Sequence, residues 1–164
     1  MAKRTPVSVR LEWFEISAAA QVGVSRNVEA IRAGYRSRIR GKDSMWDRHV
    51  LGALGECAFA KATGRYWSGS VNTFKSGGDV GNTIQIRTRS KHDYDLIVRD
   101  DDRDDDIYVL VTGGPQEFLV HGWMLCADAK SKQFVSDYGG YGEAYFVPQS
   151  ELRPVEELFL GDGK

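Results

Sequence analysis

Residues 78 to 89 read Gly-Asp-Val-Gly-Asn-Thr-Ile-Gln-Ile-Arg-Thr-Arg. Side chains alternate across a strand, so Gln85, Arg87 and Arg89 take one face, and Ile84 and Ile86 take the other. The isoleucine face is the one to bury. Asp79 lies ahead of the strand in a glycine-rich turn, where Gly77 and Gly78 permit the tight backbone that presents it. A strand is therefore expected over residues 83–89, with the rest of the chain serving as its scaffold or lying opposite it.

Upstream, two helices are expected. Ser25 is a fitting N-cap for the first, with Val28, Ile31, Tyr35 and Ile39 at helical spacing and Gly41 as its stop. Arg32, Arg36, Arg38 and Arg40 crowd its last turns. The helix dipole accounts for one or two of these arginines, and a phosphate-contacting face would account for all four. The second helix opens near Asp47, carries Val50, Leu51, Leu54, Ala58 and Phe59 as its apolar stripe, and ends at Gly64. Gly52 and Gly55 each cost about 1 kcal/mol there relative to Ala, which points to close backbone packing. Glu56 is an acid within this small-residue stretch, so it must be solvated, paired or bound to a cation. Before both helices, Val7, Val9 and Leu11 alternate as a short strand would, and residues 12–20 fit a helical turn.

Downstream of Gly64, Ser68-Gly69-Ser70 is a turn and residues 71–74 a short strand. Residues 93–99 form another strand, with Tyr94, Leu96 and Val98 on one face. Residues 100–106 hold six acids around Arg103. Their spacing matches no calcium loop, and a solvated hairpin loop is the plain reading. Residues 107–111 are a continuous apolar run suited to a central strand. Gly113-Gly114-Pro115 turns the chain, 117–121 returns beside it, and Gly122 ends that strand. A short helix or turn over 123–129, a loop over 136–142, a strand over 144–147 and a terminal turn or strand over 155–160 complete the chain. The order implies an α/β or α+β domain with helices packed on a mixed central sheet of about five strands.

A length of 164 residues, with 41% apolar and 27% charged residues, suits one domain with its own core. No apolar run approaches a membrane span, and the first thirty residues lack the layout of a secretory signal. Cys57 and Cys126 lie far apart among apolar neighbours and read as buried thiols in a reducing compartment. The formal charge of −1 conceals an asymmetry. Residues 1–92 hold 16 Lys/Arg against 7 Asp/Glu, and residues 93–164 hold 6 against 16. A basic first half suits a polyanion; two oppositely charged halves also attract one another within one fold.

Asp79, Glu56 and the amide oxygen of Gln85 would make a hard, oxygen-rich site suited to Mg²⁺ or Mn²⁺. Arg87 would bind phosphate, since a guanidinium stays protonated and makes a poor general base. These residues resemble the PD-(D/E)XK nuclease superfamily. Its helix acid falls on Glu56, the acid before its core strand on Asp79, its strand carboxylate on Gln85 and its lysine on Arg87, with Thr88 as the hydroxyl residue that follows. Similarity spans roughly residues 47–125 and includes Gly122-Trp123.

The resemblance implies a restriction-endonuclease-like fold with a curled sheet, residues 1–45 being a basic helical extension to the core. It implies metal-dependent DNA hydrolysis, a cytoplasmic setting in a bacterial cell or phage-infected host, and a homodimer where both strands are cut. Gln85 and Arg87 depart from the family pattern, removing one ligand charge and the lysine that handles water. A catalytically silent nucleic-acid-binding or assembly protein on the same fold is the alternative. Another is a solvated strand face with Asp79 merely shaping its turn.

Arg32, Arg36, Arg38, Arg40, Arg89 and Lys91 are the candidate nucleic-acid contacts. Lys91 and His92 are candidates for the missing polar role; His49 is either a phosphate contact or an ordinary exposed residue, and His121 is read as structural. Tyr66, Trp67, Tyr138 and Tyr141 either stack on bases along a groove or anchor loops. No P-loop, zinc cluster or Ser-His-Asp order stands out.

Overall fold

A computed structural model describes residues 4–35, 44–71 and 78–160. Arg36, Arg38 and Arg40, with the helix expected through Ile39 to Gly41, lie outside the described residues, as do Gly77 and most of the strand expected over 71–74.

The first strand, β1 (Val7–Arg10), follows the alternation of Val7 and Val9. Helix α1 (Trp13–Arg32) starts well before Ser25 and runs straight through it. Glu12 is its N-cap, and Glu15 one turn on accepts a hydrogen bond from the Glu12 amide at 2.7 Å. This reciprocal pairing satisfies a free amide at the helix start, so no Ser or Thr is needed there. Val28, Ile31 and Tyr35, noted for their helical spacing, are exposed; α1 buries Ala19, Gly23, Asn27 and Ala30.

Helix α2 (Met45–Thr63) is capped by Ser44, whose Oγ accepts from the Asp47 amide at 3.2 Å. Asp47 is thus the reciprocal partner in the first turn and not the cap itself. Gly64 closes α2 in the left-handed conformation expected of it.

Strands β2 (Ile84–Arg89), β4 (Ile107–Gly113) and β5 (Glu117–Leu125) join β1 in one mixed sheet of order β1-β5-β4-β2. Only the β2–β4 pair is parallel. Leu54, Ala58 and Phe59 of α2 pack on Ile84, Ile86, Val109, Val111, Phe118 and Val120, forming the first core. The opposite side of β4, Tyr108 and Leu110, forms a second core with Cys126, Phe134 and Leu152. Burial on both faces explains why the β4 sequence is continuously apolar.

The second core is closed by a separate antiparallel sheet of β3 (Leu96–Val98), β7 (Ala144–Val147) and β6 (Val135–Ser136), in the order β3-β7-β6. The fold is therefore α+β, with a four-stranded mixed sheet and a three-stranded one in place of a single sheet of about five. β3 is shorter than the expected 93–99 because only Leu96 to Val98 reach β7. The N-terminal segment is also no appendage: β1 pairs with β5, and Val9, Leu11 and Ala19 belong to the first core.

Strand β5 outruns its expected end at Gly122. Pairing with β4 moves from Gly122 opposite Leu110 to Val120 opposite Val111, skipping His121. This bulge resets the alternation, so Phe118, Val120 and then Trp123 all face the first core. The helix expected over 123–129 shrinks to α3 (Cys126–Ala129), and residues 155–158 form a 3-10 turn. Cys126 is buried as expected, whereas Cys57 is only half-buried. Burial pushes both thiols up to about 11. Among the described residues no helix is long and apolar enough to cross a membrane.

Candidate functional site

Residues 78–80 fold back along the outer side of β2. A Cβ on Gly78 would meet the Ile84 nitrogen at 2.6 Å and its carbonyl oxygen at 2.5 Å, so only glycine permits this approach. Val80 then donates to the Ile84 carbonyl at 3.3 Å, and Asp79 Oδ2 accepts from the Ile86 amide at 2.7 Å. Burial, and next the negative charge of Glu56, push the Asp79 carboxyl up to about 7. The Ile86 hydrogen bond, Arg87 and Arg26 act against that rise.

Glu56 is 5% exposed. It sits one residue beyond Gly55, where α2 lies closest to β2. Its Oε1 accepts from Arg26 Nη1 of α1 at 2.8 Å, and its Oε2 accepts from Trp67 Nε1 at 2.9 Å. Arg26 Nε also donates to the Ser70 carbonyl at 2.9 Å. Sequence reasoning missed Arg26 as the partner of Glu56. The available signal was a lone arginine among the small and apolar residues of an otherwise uncharged stretch of α1.

The polar side of β2 faces away from α2. Gln85 Nε2 donates to the buried Asp106 at 3.1 Å. Arg87 Nη2 reaches both oxygens of Asp102 at 2.7 Å, its Nε donates to the Ile97 carbonyl at 3.3 Å, and its guanidinium lies 4.7 Å from the Tyr108 ring centre. Burial works against the Arg87 charge, but Asp102 beside it holds the guanidinium above its ordinary pKa. Arg89 donates to the Asp95 carbonyl at 2.9 Å and rests 4.2 Å over the Tyr94 ring.

The expected oxygen trio is therefore divided. Asp79 and Glu56 sense one another, while the Gln85 amide is engaged with Asp106 on the other face. Among the described residues no group of three or more His, Cys, Asp or Glu is placed to hold a metal ion. Both oxygens of Glu56 are already taken by Arg26 and Trp67. The donor set as arranged does not fit Mg²⁺ or Mn²⁺, whose octahedral shell demands free, convergent oxygens.

At the C-terminal end of β2 a groove of about 620 Å³ opens, lined by Arg48, Arg87, Arg89 and Arg99. The rings of Tyr94, Tyr138, Tyr141 and Phe146 also line it, and no acid among the described residues does. Arg48 and Arg99 are exposed. Asp79 lines a different cleft of about 370 Å³ with Arg65, Tyr66 and Asn82, and the two clefts share no residue. Comparison of this chain with protein-family models, curated proteins and solved structures finds no match in any of the three.

The remaining candidates are dispersed. Arg32 pairs with Glu29 one turn back at 2.9 Å, and Lys91 lies 5.6 Å from the Tyr94 ring centre, beside Arg89. His92 Nδ1 lies 2.7 Å from the buried Thr112 hydroxyl, which lies 2.7 Å from His121 Nε2, so an exposed and a half-buried histidine share one buried hydroxyl. His49 is half-buried; burial, and then Arg26, lower its pKa. The acid run closes on Lys130, whose ammonium donates to the carbonyls of Asp100 and Asp102 and to the Asp104 carboxylate. A lysine thus occupies the position that a bound cation would take. Of the seven ion pairs among the described residues, only Arg10–Glu117 and Arg87–Asp102 join the basic half to the acidic one. Within the basic half, Arg26, Arg32 and Lys61 pair with acids of the same half, and Arg4, Arg65 and Arg89 donate to backbone carbonyls. Among the described basic residues up to Lys91, only Arg48 and Lys91 therefore make no side-chain hydrogen bond.

Chemically, the arginine groove offers fixed positive charge and flat apolar surface side by side. Phosphates are met by guanidinium groups through paired hydrogen bonds, and bases by aromatic faces.

Proposed function

We propose that this chain binds nucleic acid through the arginine–tyrosine groove, on a variant of the restriction-endonuclease-like fold whose acid pair serves structure. The observation that carries this reading is the convergence of Arg48, Arg87, Arg89 and Arg99 on one groove, where Asp102 pairs with Arg87 while Arg48, Arg89 and Arg99 have no ion-pair partner among the described residues. With an overall formal charge of −1, attraction to a polyanion must come from such a local concentration of charge. Arg87 and Arg89 are pre-positioned by Asp102 and by the Asp95 carbonyl, while Arg48 and Arg99 stand at the exposed margin.

Fluorescence anisotropy with labelled DNA over a salt series tests the proposal. Binding should weaken steeply with salt, and Arg48→Ala with Arg99→Ala should lower the slope of log K against log salt by about 1 for each phosphate no longer met by a guanidinium. Absence of salt-dependent binding overturns it.

Metal-dependent hydrolysis is the second reading: the charge of Glu56 is felt at Asp79, but Glu56 would have to leave Arg26 and Trp67 before its oxygens could take a metal. Incubation of plasmid with Mg²⁺ or Mn²⁺ separates the two. Cutting that disappears in Asp79→Asn establishes the hydrolase; intact plasmid alongside salt-sensitive binding supports the binding protein.

A further inference from the structure

The rings in the groove are not equivalent. Tyr94 already carries Arg89 at 4.2 Å and Lys91 at 5.6 Å, and Arg87 lies over the ring of Tyr108 in the core beneath. Tyr138 and Tyr141 carry no cation, and they are 64% and 56% exposed. Tyr138 opens a 3-10 turn over Tyr138–Gly140 and Tyr141 follows it, with Gly140 between them in the left-handed conformation, and both rings line the groove. The turn is held shut by Asp137, whose Oδ1 accepts from the Gly142 amide at 3.0 Å. The Tyr138 ring is further held edge-on by Phe146, with centroids 4.6 Å apart and planes at 83°. Tyr138 is thus braced by Phe146, and both exposed rings line the same groove as the exposed Arg48 and Arg99.

A duplex cannot use such faces, because its bases are stacked on one another and present only their edges. A strand with unpaired bases can, since every base has a face to stack. Building on the groove-binding reading above, we propose that the ligand is single-stranded nucleic acid, with bases stacked on Tyr138 and Tyr141 and phosphates met by Arg48 and Arg99. Tyrosine stacking does not read the base edge, so the preference among sequences is weak.

The test uses the full chain and labelled poly-dT, poly-U and a mixed-sequence duplex of the same length, followed by anisotropy at low and moderate salt. Either single strand should bind at least about tenfold tighter than the duplex. Tyr138→Ala and Tyr141→Ala should each weaken single-strand binding roughly 5- to 100-fold, with the duplex unaffected. Tyr138→Phe and Tyr141→Phe should retain it, because the ring and not the hydroxyl does the stacking. Thermal melts of the variants confirm that the fold is intact. A duplex bound as well as the single strands, or alanine variants that bind like the parent, overturns the inference. If Arg48→Ala and Arg99→Ala weaken all three probes equally while the tyrosine variants change nothing, the groove binds polyanions without stacking, and only this inference fails. If no probe binds, the groove reading fails with it.

Discussion

Gly55 of α2 rests against Thr88 of β2 so closely that a Cβ on Gly55 would fall 1.9 Å from the Thr88 Oγ1. The Thr88 hydroxyl is buried there without a hydrogen-bond partner. Gly52, one turn earlier, faces open space. Gly55→Ala should therefore force α2 off the sheet and cost about 1–3 kcal/mol. Gly52→Ala should gain up to about 1 kcal/mol of helix stability. Urea denaturation of the two variants checks both signs; equal effects would mean that the α2–β2 approach is looser than described.

Glu56 and Arg26 form the most buried ion pair among the described residues, with Trp67 on the second carboxylate oxygen. Glu56→Ala leaves the guanidinium and the indole N–H without their acceptor, and should cost about 3–5 kcal/mol. Glu56→Gln keeps an acceptor for Trp67 and should cost less. It also removes the charge that helps raise Asp79, so the Asp79 carboxyl should titrate below its parent position when followed by carbon-13 NMR. An unmoved Asp79 would show that burial alone sets its pKa.

Asp79 gives stability an unusual pH dependence. Its carboxyl ordinarily releases its proton near 3.8, yet in the fold it does so at about 7. Folded molecules therefore hold more protons than unfolded ones across this window. The group's contribution is fully present below 3.8 and is lost as pH rises through 7. Asp79→Asn retains an acceptor for the Ile86 amide but cannot ionise. Its melting temperature relative to the parent should improve steadily from about pH 4 to pH 8. A gap that stays constant would place the Asp79 carboxyl at an ordinary pKa.

His121 acts in the opposite direction. Burial, and then the charge of His92, bring it from 6.5 down to about 4. It remains neutral in the fold while the unfolded chain takes up a proton, so its contribution is present above 6.5 and is lost as pH falls through 4. His121→Gln should flatten that acid limb. Thr112→Val removes the hydroxyl that links the two imidazoles and should cost about 1–3 kcal/mol at neutral pH, measured by denaturant unfolding.

The strands were the most legible part of the sequence. Ile84 and Ile86 announced a buried face, and the run from Ile107 a doubly covered strand, because burial on one face or both writes itself directly into alternation or its absence. Elements whose limits depend on distant contacts were harder to read. The start of α1 depends on Glu12 and Glu15 pairing, a carboxylate substitute for the usual hydroxyl cap. Gly23 of α1 looks like a helix defect, yet a Cβ there would lie 2.5 Å from the Val50 backbone; its reason is on another helix. The bulge at His121 hid the second half of β5 by shifting its parity. Asp79 and Glu56 were found from local context and are coupled in the fold, whereas the partners of Gln85 and Arg87 come from Asp106 and Asp102, in a loop whose acids read only as solvated charge. The groove was hardest to foresee, since Arg48, Arg89, Arg99 and Tyr141 meet only after both sheets are in place.

Among the described residues β2 is an outer strand of its sheet, with β4 as its one neighbouring strand. Strands in that position commonly template pairing with another chain, and so seed fibres or precipitates. Here the Ile84 carbonyl is taken by Val80 and the Ile86 amide by Asp79, both from the same molecule. A visiting chain meets an edge that is already occupied at its midpoint. The turn thus acts as a built-in guard on colloidal behaviour, and replacing Asp79 with a residue that cannot accept a hydrogen bond would open a route to aggregation at high concentration even where folding survives.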